Sequence, residues 1–94
     1  IWSGENNMNE LLKYRQEIDL IDIELKQLFL KRMSIIKKIT DYKRENNIAI
    51  TDITRETEMF HTLLMDINDN DKKYYKEFLS NIIKISKEYQ KDNK

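Results

Sequence analysis

A few polar side chains in this sequence stand where an apolar one would be ordinary, and these are the positions that could do chemistry. Arg32 falls on a seam of otherwise apolar residues, and Lys43 follows eleven positions later. At 100° per residue, eleven residues make three turns plus about 20°, so the two cations share one helix face about 16 Å apart. Ser86 and Gln90 lie four apart on another apolar face, and Asp52 and Glu56 lie four apart with Arg55 beside them. Together they could line one cavity for a ligand that carries carboxylates and polar oxygens. Arginine suits that work because its planar fork meets a carboxylate through two parallel hydrogen bonds. The chain otherwise prefers lysine, with 13 Lys against four Arg. Arg15 does not fit this cavity within one chain, being about 25 Å along the helix from Arg32 and roughly 100° around it. An antiparallel second copy would carry the partner's Arg15 toward Arg32 and create two symmetric, shared sites.

Each of these residues also has a plain structural reading. Arg32 could set the register of a helix pair by bonding a Glu, and Lys43 could be a solvated charge that complements a helix C-terminus. Asp52 reads equally as a helix cap, with Arg55 and Glu56 as surface charges of a first turn. Ser86 can bond the carbonyl four residues back, and Gln90 can sit at a fraying end. His61 has no second His or Cys to form a metal site and reads as structural or exposed. There is no Ser-His-Asp set, glycine-rich phosphate loop or metal-ligand cluster in the sequence.

Three helices must position these groups. Leu11, Tyr14, Ile18, Ile21, Leu25, Leu28, Ile35, Ile39 and Tyr42 recur at spacings of three and four. That pattern predicts a first helix over about 9–45, closed by Asn46-Asn47. Thr51 or Asp52 caps a second helix that runs to about 66 and buries Met59, Phe60, Leu63, Leu64 and Ile67. The run Asn68-Asp69-Asn70-Asp71 predicts a loop, and Tyr75, Phe78, Leu79, Ile82, Ile83 and Tyr89 predict a third helix over about 72–90. A helix of about 36 residues is roughly 54 Å long, against about 32 Å for the diameter of a compact chain of this size. The expected architecture is therefore all-α, with three helices per chain, one of them very long, in an intertwined homodimer.

Composition agrees. The 94 residues include no Pro and a single Gly, so tight β-turns are hard to build. Seventeen basic and 17 acidic residues cancel, which disfavours a nucleic-acid partner. No apolar run approaches the roughly 18 residues of a membrane span, and no signal-peptide pattern is present, so no membrane partner is expected. The absence of Cys excludes a disulfide scaffold and a thiol nucleophile, and fits a reducing, cytoplasmic setting. Residues 1–7 read as a cloning remnant or a disordered N-terminus, and residues 8–94 as a single helical domain.

The stretch Leu11-Leu12-Lys13-Tyr14-Arg15-Gln16-Glu17-Ile18-Asp19, then Ile21-Asp22, Arg32, Lys43 and Asp52-Ile53-Thr54-Arg55-Glu56, closely resembles the all-helical chorismate mutases of bacterial type. Ile82-Ile83, Ser86 and Gln90 extend the resemblance through the third helix. Two departures are Ala49, where a proline is common before the second helix, and the brevity of the Asn-Asp loop. The resemblance implies a homodimer that rearranges chorismate to prephenate for phenylalanine and tyrosine biosynthesis, with no cofactor and no metal. It implies that Arg32 and the partner's Arg15 clamp two carboxylates, while Lys43 and Gln90 bond the ether oxygen of the breaking bond. Glu56, with the backbone near Asp52, would hold the ring hydroxyl, and Ser86 and Arg55 would support the ring carboxylate. Two alternatives remain open at the level of sequence: an isochorismate-pyruvate lyase of the same fold, and a non-catalytic helical dimerisation or regulatory module.

Overall fold

The computed structural model describes the backbone of residues 2–94 and the side chains of residues 9–94. The reading of residues 1–7 as a remnant or a disordered end falls on residues that lie outside those described with side chains. Three helices follow one another, α1 (Trp2–Glu45), α2 (Ile53–Leu64) and α3 (Asp69–Asn93), with no strand among the described residues. The all-α expectation holds. The chain divides into two compact units, Ile1–Ser34 and Ile35–Lys94.

The first unit is a stretch of α1 alone. One helix cannot bury its own apolar stripe, and here the seam is open to water: Ile18, Ile21, Leu25 and Leu28 are 53%, 49%, 44% and 62% exposed. Leu20, Ile23, Phe29 and Leu30 are exposed beside it, so the apolar surface is wider than the heptad seam.

The second unit holds the end of α1 with α2 and α3. α1 stops in a left-handed cap. Asn47 takes φ 55°, the Asn47 N–H donates to the Arg44 carbonyl (3.4 Å), and the Ile48 N–H donates to the Lys43 carbonyl (2.8 Å). This pair of bonds satisfies carbonyls that a helix end otherwise leaves bare, and Asn tolerates the left-handed region better than most residues. Asp52, rather than Thr51, caps α2, its Oδ1 accepting from the Arg55 N–H at 3.0 Å.

The connection between α2 and α3 differs from expectation. α2 ends at Leu64, and Asp66 at φ 63° helps reverse the chain. The run 68–71 is not a loop but the start of α3: Asn68 Oδ1 accepts from the Asp71 N–H at 2.9 Å, and Asn68 Nδ2 donates to Asp71 Oδ2 at 3.1 Å. Asn and Asp suit loops and helix starts alike, and here Asp69 and Asp71 also complement the positive end of the helix dipole.

α2 packs against α3. It buries none of its residues fully: Met59, Phe60 and Leu64 are half-buried, as is Ile67 beyond its end, and Leu63 is exposed. A single helix neighbour covers only a narrow stripe, which is narrower than the five-residue face expected. The buried residues of α3, Leu79, Ile83, Ser86 and Gln90, form such a stripe at steps of four, three and four. Ile36 and Thr40 of α1 are also buried, the Thr40 hydroxyl donating to the Ile36 carbonyl at 2.7 Å. The ends of α1 and α3 are tied by Arg44, which donates to the Asn93 carbonyl at 3.1 Å. Among the described residues, no helix is long and apolar enough to cross a membrane.

Candidate active site

Lys43 lies in the last turn of α1 and is half-buried. Its ammonium donates to the Ile50 carbonyl at 2.9 Å and to Gln90 Oε1 at 3.0 Å. The reading of Lys43 as an ordinary solvated charge is thereby set aside. Gln90 is only 5% exposed, three residues inside the end of α3, so it is not at a fraying terminus. Its Nε2 donates to the Ser86 carbonyl at 3.3 Å. Because the ammonium fixes which end of the amide carries oxygen, the NH₂ end of Gln90 is fixed as a donor. An ammonium has three N–H groups and an amide NH₂ has two. The bonds described use two and one of them, so each group keeps one N–H beyond those bonds.

Ser86 is buried, and its hydroxyl donates to the Ile82 carbonyl at 3.0 Å, the helix back-bond that its structural reading anticipates. Asp52 serves as a cap and is exposed, as is Arg55. Glu56, in the first turn of α2, is bound to α3 by an ion pair with Lys87 at 2.6 Å. Arg15, exposed, and Arg32, half-buried, belong to the N-terminal unit. His61 is exposed in the last turn of α2. Among the described residues no group of His, Cys, Asp or Glu could hold a metal ion.

The second unit thus joins Lys43, Ser86 and Gln90 in one hydrogen-bonded cluster, with Asp52, Arg55 and Glu56 gathered at the start of α2. A hollow of about 390 Å³ is lined by Glu56, Phe60, Ile83, Lys84 and Lys87 among others, and not by Lys43, Ser86 or Gln90. Two participants were not legible in the sequence. The Ile50 carbonyl is a backbone group with no residue-type signature. Lys87 is one of several lysines spaced along α3, and nothing in the sequence sets it apart.

Two adjoining donors held by a buried network can stabilise an oxygen on which negative charge grows, which is the demand of a bond breaking at oxygen. An all-helical chain with that pair, and with arginines on its long helix, defines a class. Residues 14–91 match the family described as chorismate mutase type II, and the chain belongs to that family. Over 56 residues it is 43% identical to the bifunctional chorismate mutase/prephenate dehydratase of Buchnera aphidicola subsp. Acyrthosiphon pisum (strain APS), covering 60% of this chain and 14% of that protein. The protein of the same description from Buchnera aphidicola subsp. Schizaphis graminum (strain Sg) is 44% identical over 48 residues, 51% of this chain and 12% of that one. The chain therefore aligns with only a small part of the length of these curated relatives. No solved structure matches it.

Proposed function

We propose that this chain is a chorismate mutase that converts chorismate to prephenate, on the path to phenylalanine and tyrosine, within a homodimer of two shared sites. The observation that carries the reading is the 3.0 Å hydrogen bond between Lys43 and the buried Gln90. A pericyclic [3,3] shift needs no nucleophile, cofactor or proton carrier. It needs the compact diaxial conformer of the substrate, and donors aimed at the ether oxygen as its bond to carbon lengthens. Lys43 and Gln90 supply the donors. Arg32 and the partner's Arg15 hold the two carboxylates, Glu56 takes the ring hydroxyl beside Asp52, and Arg55 and Ser86 support the ring-carboxylate end. Because the uncatalysed reaction is already unimolecular, the acceleration needed is on the order of 8 kcal/mol, low for an enzyme.

The homodimer is supported by the exposed seam of the first unit, Ile18, Ile21, Leu25 and Leu28, an apolar face that a second long helix would cover. Residues 8–94 form the catalytic domain in this reading. A non-catalytic helical module gains nothing from burying Ser86 and Gln90, and the family and its relatives give the lyase no support. The test is direct: purified protein should consume chorismate, followed by its absorbance, and yield prephenate. No loss of chorismate, or pyruvate release from isochorismate without any mutase turnover, would overturn the proposal.

A further inference from the structure

We infer that Lys87 is a positioning residue of this site, holding the Glu56 carboxylate by one oxygen and cancelling its charge so that the other oxygen can receive the ring hydroxyl of a dianionic substrate. The inference rests on the proposed chorismate site and adds a residue to it. Lys87 follows Ser86 on α3 and precedes Gln90 by one turn, and its ammonium lies 2.6 Å from Glu56 Oε1. The two side chains are 31% and 22% exposed, so the pair is screened less than a surface ion pair. Both line the hollow that also holds Phe60 and Ile83, with Lys84, Glu88 and Lys91 as the other charged groups around it.

A bare carboxylate in this place would work against the reaction it serves. It would accept a hydroxyl proton well, yet it would also repel a ligand that carries two negative charges. Pairing with an ammonium removes the repulsion while leaving the second oxygen its lone pairs. It also fixes the rotamer of a flexible side chain before the ligand arrives, since Lys87 anchors Glu56 across from α2 to α3.

Binding before the transition state is what this arrangement assists, so the effect belongs in KM. Lys87→Met, which keeps the stem and helix preference, should raise KM about five-fold and leave kcat within about two-fold. Added salt should shrink the penalty in part, because the repulsion from a partly exposed carboxylate is still screened to some extent. Lys87→Arg should restore KM. On a Glu56→Gln background, where there is no charge to cancel, Lys87→Met should change KM by less than about two-fold. An unchanged KM in Lys87→Met, or an equal rise on the Glu56→Gln background, overturns the inference while wild-type turnover preserves the functional reading. A wild-type protein that does not turn chorismate over overturns both.

Discussion

At the scale of single residues, the decisive contrast is between Gln90 and any acid in its place. Its amide donates without needing to be protonated, and the bond from Lys43 to its oxygen fixes the NH₂ end, which reaches the Ser86 carbonyl, as a donor. Activity should therefore vary little across neutral pH. Gln90→Glu replaces this donor with a carboxyl that donates only when protonated; at neutral pH its charged form presents an acceptor to the ether oxygen and instead pairs with Lys43. The variant should lose most of its kcat at pH 7 and recover as the pH falls through the carboxylate range. Rate profiles of the two proteins from pH 4 to 8 make the comparison. Equal activity at pH 7 would remove Gln90 from the ether oxygen and leave it as a structural partner of Lys43.

At the scale of elements, the end of α1 does more than stop a helix. Asn47 in its left-handed conformation turns the chain so that Ile48 returns an N–H to the Lys43 carbonyl and Ile50 presents its own carbonyl to the Lys43 ammonium. One short turn thus grips both the backbone and the side chain of the same residue. Asn47→Gly should leave kcat within about two-fold, because glycine adopts this conformation freely. Asn47→Val places a β-branched side chain there at a cost of about 1–2 kcal/mol, and relief of that strain would move the Ile50 carbonyl. Its kcat should fall by up to about ten-fold with a smaller change in KM, alongside a lower melting temperature. A variant that melts earlier but keeps its kcat would show that the turn stabilises the fold without aiming Lys43. This turn also marks how far the sequence could be read. Helices and misplaced polar residues are legible because they are periodic: Ser86 and Gln90 break an apolar stripe, and the stripe is where the structure buries them. Asn46-Asn47 could be read as a stop, but not the carbonyl it delivers, since any residue at position 50 offers one. The run 68–71 misleads because Asn and Asp favour loops and helix caps for the same reason, a short side chain that bonds nearby backbone. The Lys87–Glu56 pair joins positions 31 apart, and no local period records such a contact.

At the scale of the whole molecule, the proposed dimer answers two facts of the single chain together. The first unit leaves Ile18, Ile21, Leu25 and Leu28 between 44% and 62% exposed, and Arg15 on the same helix is exposed too. Covering that face with a second antiparallel copy would bury the seam and bring the partner's Arg15 toward Arg32. If each site draws one arginine from each chain, Arg15→Ala and Arg32→Ala homodimers should both be nearly inactive, because each spoils both of its sites. A mixed dimer behaves differently. One of its sites receives an intact Arg32 and an intact Arg15, and the other collects both defects. Unfolding the two variants together and refolding them at equal amounts should make about half of the dimers mixed, each with one good site of two. Activity should then return to roughly a quarter of wild type, provided pairing is random and the sites act independently. Mixing the folded variants should restore little if exchange between long paired helices is slow, which separates subunit exchange from simple addition of weak activities. Differently tagged copies, captured in sequence, would verify that mixed dimers have formed. Mixed dimers as inactive as their parents would show that Arg15 does not act across the dimer, and the shared site would have to be abandoned even if chorismate turnover by the wild type stood.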